Sequence, residues 1–534
     1  MDEEEFINKY LQPYFRHGHR ESLATVLQIW SPEIDKCNII GDAMHQAIYH
    51  RDLIAIQMIL DAGVDATIRD SQHPNNPPLL NAAEVGFFDA CRLLWQVVGP
   101  EGRVYPAKNH HAAATCLSIA AENGHMDLVV FFLNVWDGWS SSETTRALTD
   151  AVRKWQEDVV DLLLARVPYT ADALQEALQE SIHYRVRWVF GRRGTNEQYL
   201  QQYRIVCRLI DAGANPNELH NGKSVLLSAV RHVQMHQCVH KVGAVRALLE
   251  SGAEPNAQDR NGETALHILL RNPGSSIPAL RLLLEHGASP EMGNQDDETP
   301  LHLVAYAGDL ERLQLCLQHC RDPDSALRLR TRASHGESLL HYAAAGGTDD
   351  IVDFLLSNGM DVNSTNGNDW TPLLCALMPT DNKWPSGACR LARLLIERGA
   401  DVKVVSDEGW SPLHALASQV LNLDPPRSLE WEREEDIVPL ARELIARGAS
   451  LEAQAAVLDD GSAIVTELIG KWGSRMGKFS NGVAKNANSK TLPNAEPDTT
   501  PLMWAYRVGA MMIFDVIREH WAATESVEER DNQS

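Results

Sequence analysis

His232, His236 and His240 stand four residues apart, with Cys238 between the last two. If 229–241 is helical, the three imidazoles share one face, a spacing that zinc can use. No Glu completes an HExxH pair, so this reading lacks the base of a metalloprotease. Cys316, His319 and Cys320 also share a helix face, again without a second ligand pair. Arg185, Arg187, Arg192 and Arg193 surround Trp188, and Arg328, Arg330 and Arg332 form a second basic cluster. Such groups bind phosphate or an acidic peptide, or sit in solvated loops. The chain has no Walker loop, no GxGxxG after a strand, no GxSxG and no kinase set. The expectation is a protein that is not an enzyme, with no metal and no cofactor. A metal-dependent enzyme built on the His232/His236/His240 helix is the alternative from another class.

The elements that would position these residues recur along the chain. Ser334 to Asn363 is the cleanest copy. Ser338-Leu339-Leu340-His341 opens a short apolar helix ending near Gly346-Gly347. A second helix over 349–358 carries Ile351, Val352, Phe354, Leu355 and Leu356, and Gly359 stops it. Ser or Thr at a helix start satisfies a free backbone N–H, and Pro suits the first helical position. Gly accepts the left-handed conformation at the helix end. The terminal glycines Gly213, Gly252, Gly287, Gly359 and Gly399 are 39, 35, 72 and 40 residues apart. One helix pair buries one face, so neighbours must stack.

Five segments carry the family signature: Thr264-Ala265-Leu266-His267, Thr299-Pro300-Leu301-His302, Ser338-Leu339-Leu340-His341, Thr371-Pro372-Leu373-Leu374 and Ser411-Pro412-Leu413-His414. With Gly287-Ala288 and Gly399-Ala400-Asp401, they make 261–451 resemble the ankyrin repeat, and looser periodicity extends the likeness over most of 41–521. The resemblance implies an all-α ankyrin-repeat solenoid of about 11–13 helix-turn-helix units with short hairpin loops. It also implies that His267, His302, His341 and His414 make structural hydrogen bonds between neighbouring turns. The copies over 147–217 lack the TPLH start, and inserts are frequent.

The expected organisation is an N-terminal helical cap over 1–40, divergent repeats over 41–217, and well-formed repeats with inserts over 218–452. A degenerate segment with a mobile loop follows over 453–499, then a last repeat and tail over 500–534. Lys plus Arg total 48 against 72 Asp plus Glu, a net charge of −24. This disfavours nucleic acid and anionic membrane and favours a partner with a basic segment. The acidic start, the lack of a long apolar run and nine cysteines without a CxxC pair point to a cytoplasmic or nuclear monomer.

In the family, hairpin tips and the concave first-helix face hold protein partners. Here the tips are Asp259-Arg260-Asn261, Asp296-Asp297, Asn368-Asp369 and Asp407-Glu408. Trp370 and Trp410 lie at the base of two of these fingers, where they would either serve as exposed aromatic anchors beside an acidic rim or pack on the next finger. The function expected is a non-enzymatic protein-interaction scaffold. The alternative within that class is a substrate adaptor of a larger complex, such as a ubiquitin ligase, recruited by the first 40 residues.

Overall fold

The computed structural model describes residues 11–15, 17–28, 39–68, 77–100, 115–182, 196–220, 223–235, 242–271, 276–330, 336–378, 385–418, 430–455, 500–508 and 510–531. They fall into two compact bodies, one of 1–232 with 240–254 and one of 233–239 with 255–534. Almost every regular element is a helix. The exceptions are the two-residue strands Leu219–His220 and Lys223–Ser224, paired antiparallel.

In the first body, helix Arg20–Leu27 packs on Leu53–Asp61. Leu11, Tyr14, Leu23 and Val26 are buried, and Arg20 reaches both carboxylate oxygens of Asp52 at 3.0 and 2.9 Å. Helix pairs follow at Ile39–Tyr49 and Leu53–Asp61, Pro78–Val85 and Phe88–Val98, and Cys116–Glu122 and Met126–Val135. Ser141–Arg153 and Glu157–Arg166, Ala171–Glu180 and Asn196–Asp211, and Val225–Met235 and Gly243–Glu250 complete the series. Local chemistry starts several of these helices. At Ser140, for instance, Glu143 N–H donates to Ser140 Oγ at 3.3 Å while Ser140 N–H donates to Glu143 Oε2 at 2.8 Å, a reciprocal cap.

The second body repeats the plan at Ala265–Leu270 and Ile277–Glu285, Pro300–Ala307 and Leu310–Gln318, and Leu339–Gly346 and Asp349–Ser357. It continues at Pro372–Leu377 and Pro385–Glu397, Pro412–Ser418 and Glu430–Ala446, and Pro501–Val508 and Met511–Asp531. Twelve pairs are therefore present among the described residues, beside the N-terminal helix. First helices pack on first helices, as Pro300–Ala307 does on Leu339–Gly346. They are buried on nearly all sides; every residue from Pro300 to Tyr306 is buried. Ala343 and Ala344 keep that approach close. The second helices are amphipathic: Ile351, Val352 and Leu355 face inward while Asp349 and Asp353 face outward into ion pairs with Arg390 and Arg398.

An asparagine clamp recurs between successive repeats. Asn217 Nδ2 donates to Gly252 O at 3.0 Å and its Oδ1 accepts from Glu254 N–H at 2.7 Å. Asn256 does the same to Gly287 and Ser289, and Asn363 to Gly399 and Asp401. Each side chain thereby satisfies a carbonyl left free at the end of the following repeat's second helix.

Candidate functional site: the hairpin fingers

Four fingers of the second body share one turn. Its first residue is Asp259, Asn294, Asn366 or Ser406. Asp259 Oδ1 accepts from Asn261 N–H at 2.9 Å and Glu263 N–H at 3.1 Å. Asn294 Oδ1 accepts from Asp296 and Glu298, and Asn366 Oδ1 from Asn368 and Trp370. Ser406 Oγ accepts from Trp410 N–H at 3.1 Å. In all four, the first residue's N–H donates to the fifth residue's carbonyl, over 2.9–3.0 Å. The fourth residue has a left-handed backbone: Gly262 (φ 76°), Asp297 (φ 55°), Asp369 (φ 55°) and Gly409 (φ 82°). Asp is among the few non-glycine residues that tolerate that region.

Two motif histidines fasten the fingers at 294–298 and 366–370 to the repeat behind them. Thr264 N–H and Oγ1 meet His267 Nδ1 at 3.1 and 2.9 Å, and Ser338 N–H and Oγ meet His341 Nδ1 at 3.2 and 2.7 Å. A nitrogen that accepts from a backbone N–H carries no proton, so the proton sits on Nε2. There His267 donates to Glu298 O at 2.8 Å and His341 to Trp370 O at 3.0 Å, both in the next finger. Burial holds these rings neutral. His267 and His341 are lowered to about 4, and His302 to about 3. At the fourth copy Leu374 stands in place of His, and Thr371 Oγ1 caps the helix alone, from Leu374 N–H at 3.5 Å.

Neighbouring fingers are also tied through their backbones. Gln295 N–H donates to Asn261 O at 3.1 Å, and Asp407 N–H to Asn368 O at 3.2 Å. Gln295 Nε2 donates to Arg260 O at 2.7 Å. This leaves the side chains of Arg260, Asn261, Asp296, Asp297, Asp369 and Asp407 exposed, with Asp259, Asn368 and Glu408 half-buried. Asp369 and Asp407 lie side by side on adjacent fingers. The Asp369 carboxyl, through a shared hydrogen bond and its charge, raises the Asp407 carboxyl above the usual range. Asp259 is held inward by its turn. The exposed carboxylates therefore concentrate at 296–297, 369 and 407.

The expectation that Trp370 and Trp410 are exposed anchors is corrected. Trp370 is 5% exposed and Trp410 0%. Their ring centroids are 6.3 Å apart, and Trp410 meets Trp504 edge-to-face at 5.4 Å. Successive repeats close over both rings, so they support the fingers from beneath and do not face a partner.

The other candidates resolve differently. His232 is half-buried on Val225–Met235, while His236, Cys238 and His240 lie outside the described residues. So do Arg185, Arg187, Trp188, Arg192, Arg193, Arg332 and the segment 456–499. Arg330 is a structural staple: its Nη1 donates to Gly336 O at 2.9 Å and Thr365 O at 2.8 Å. Cys316 is buried, Cys320 Sγ donates to Cys316 O, and His319 Nδ1–H donates to Leu315 O. Among the described residues no group of three His, Cys, Asp or Glu could hold a metal ion, and no helix is long and apolar enough to cross a membrane. The asparagine clamp was absent from the sequence reading. Its signal was available, since Asn217, Asn256 and Asn363 each stand four residues after a helix-ending glycine.

Known proteins resemble this chain over part of its length. The family model for ankyrin repeats (3 copies) matches at residues 198–294, 235–326, 276–366 and 301–384. B-cell lymphoma 3 protein homolog of Mus musculus is 28% identical over 301 residues, 55% of this chain and 50% of that protein. RelA-associated inhibitor of Mus musculus is 31% identical over 98 residues, 18% of this chain and 10% of that protein. The chain thus spans about half the length of the first relative and a tenth of the second. Among solved structures, the ankyrin repeat domain of Bcl-3, described as a unique member of the IkappaB protein family, matches with a TM-score of 0.32 at 22% identity. That match covers 56% of this chain and 99% of the other.

Proposed function

Because this chain is an ankyrin-repeat protein, we propose that it is a non-enzymatic scaffold that holds a protein partner at its hairpin fingers. The observation that carries this reading is the row of exposed carboxylates at Asp296, Asp297, Asp369 and Asp407, presented on turns whose backbones are already fixed. Preformed turns lose little conformational entropy on binding. Clustered negative charge selects a partner segment rich in Lys or Arg and speeds its encounter. Arg260 and Asn261 flank the row as further contacts. The half-buried Asp259, Asn368 and Glu408 shape it, and Trp370 and Trp410 hold its base.

The test is a variant with D296N, D297N, D369N and D407N together. The thermal melt should stay close to that of the wild-type protein, since these side chains are exposed and Asn tolerates the left-handed backbone of 297 and 369. Partners captured by the wild-type protein should be lost, and the wild-type interaction should weaken as salt rises. RelA, which the name of one relative gives as its associate, is a direct partner to try. An unchanged set of captured partners with a folded variant would remove the fingers from the interface.

A further inference from the structure

The finger that leads into Ser338 stands between those at 294–298 and 366–370. Its left-handed residue is Gly336 (φ 61°), so it has no carboxylate where its neighbours place Asp297 and Asp369. An arginine takes up that place instead. Arg330 pairs with Ser338 across the base of the finger, and its Nη1 donates to Gly336 O at 2.9 Å and to Thr365 O at 2.8 Å. The two carbonyls fix the guanidinium beside the fourth position of its own finger and against the approach to the next. They accept hydrogen bonds but bring no negative charge. The N–H groups on Nε and Nη2 are left for another acceptor.

Among the described residues no carboxylate pairs with Arg330, and its side chain is exposed. Arg328 is exposed as well, and the sequence of 331–335 adds Arg332 and no acidic residue. The exposed charge along these fingers therefore changes sign: Asp296 and Asp297, then Arg330, then Asp369 and Asp407. A guanidinium held in one orientation is suited to a carboxylate and loses little entropy in meeting it. Packed helices stand about 8–10 Å apart, so the two acidic fingers flanking Arg330 are about 20 Å from each other. An extended chain covers that distance in about six residues.

Resting on the finger reading above, we propose that Arg330 is a specificity-determining contact. The partner segment carries basic residues about six apart, which meet 296–297 and 369, and a carboxylate between them, which meets the Arg330 guanidinium. The test is a low-salt binding titration of the full chain with two labelled peptides, Gly-Lys-Lys-Gly-Glu-Glu-Gly-Lys-Lys-Gly and its counterpart with Gln in place of Glu. Arg330→Gln should weaken the Glu peptide relative to the Gln peptide about 3-fold, the size of one exposed ion pair. Arg330→Lys keeps the charge and should keep the ratio near the wild-type value. Arg442→Gln makes the same change of net charge on the second helix of another repeat and should leave the ratio unchanged. If Arg330 is a staple and nothing more, Arg330→Gln and Arg330→Lys weaken both peptides alike; a ratio that does not move overturns the proposal. The D296N, D297N, D369N and D407N variant separates this from the reading beneath it. Both peptides should bind it more weakly; no loss there, or no binding to the wild-type chain, overturns both.

Discussion

Acid should loosen the second body through its buried histidines, and the size of the effect follows from the structure. His267 and His341 are lowered from 6.5 to about 4, and His302 to about 3, with burial as the leading cause. A folded pKa below the unfolded one means that only the unfolded chain takes up the proton as pH falls through 6.5. Stability is therefore full above that pH, and is lost progressively down to the folded pKa. Between pH 7 and pH 5 each histidine should cost about 2 kcal/mol. The three together approach about 5 kcal/mol if their repeats unfold in one step. His341→Leu isolates the effect, because the chain already places Leu374 at the equivalent position. The variant should lose about 1–3 kcal/mol at pH 7 from the broken hydrogen bonds. Its stability should then fall by about 2 kcal/mol less than wild type between pH 7 and pH 5. Urea titrations followed by circular dichroism at both pH values measure this. Equal pH dependence in the two proteins would refute the assignment of a buried ring held neutral by the fold.

Trp410→Ala should cost about 3–5 kcal/mol, because it empties a fully buried site between Trp370 and Trp504; a thermal melt close to wild type would contradict that packing. Leu355→Ala should cost about 2–5 kcal/mol in urea titrations, since the side chain is wholly buried among neighbouring repeats. Two glycines with the same φ of 82° should respond differently to Ala. At Gly359 nothing lies within 4 Å of the new methyl, so the loss is conformational, about 1 kcal/mol. At Gly409 the methyl would fall 1.8 Å from Gln454 O, a backbone atom, so the loss should exceed that at Gly359 by about 2 kcal/mol or more. Equal melting temperatures for these two variants would show that the finger at 406–410 yields freely.

What could be read in the sequence depended on how far each determinant reaches. The Thr/Ser-x-Leu-His starts and the glycine stops act within one turn of chain, so the helix pairs were visible at 264–285, 299–318, 338–357 and 411–446. The role of the histidines was legible from the family likeness, and the structure adds the receiving atoms, Glu298 O and Trp370 O. Motif position alone left the tryptophans between two readings, anchors at the surface or packing on the next finger. Whether Trp410 faces solvent is decided by Trp504, which lies beyond a long stretch with no repeat signature. The staple made by Arg330 was hidden for a similar reason, because its acceptors belong to Gly336 and Thr365 in other turns. The acidic tips were visible as charges, but only the shared turn separates Asp259, bent inward as a hydrogen-bond acceptor, from Asp296 and Asp407, which point away from the stack.

That shared turn divides its residues between grammar and vocabulary. The first position must offer an acceptor, the fourth must tolerate a left-handed backbone, and the fifth closes the loop. The second and third are under none of these demands: Arg260-Asn261, Gln295-Asp296, Gly367-Asn368 and Asp407-Glu408 occupy the same place with unlike chemistry. Apart from the Gln295 side chain, which ties its finger to Arg260 O, those two sites on each finger can be rewritten without consulting the core. A library varied only there would sample recognition while leaving the architecture untouched, and natural divergence has the same freedom.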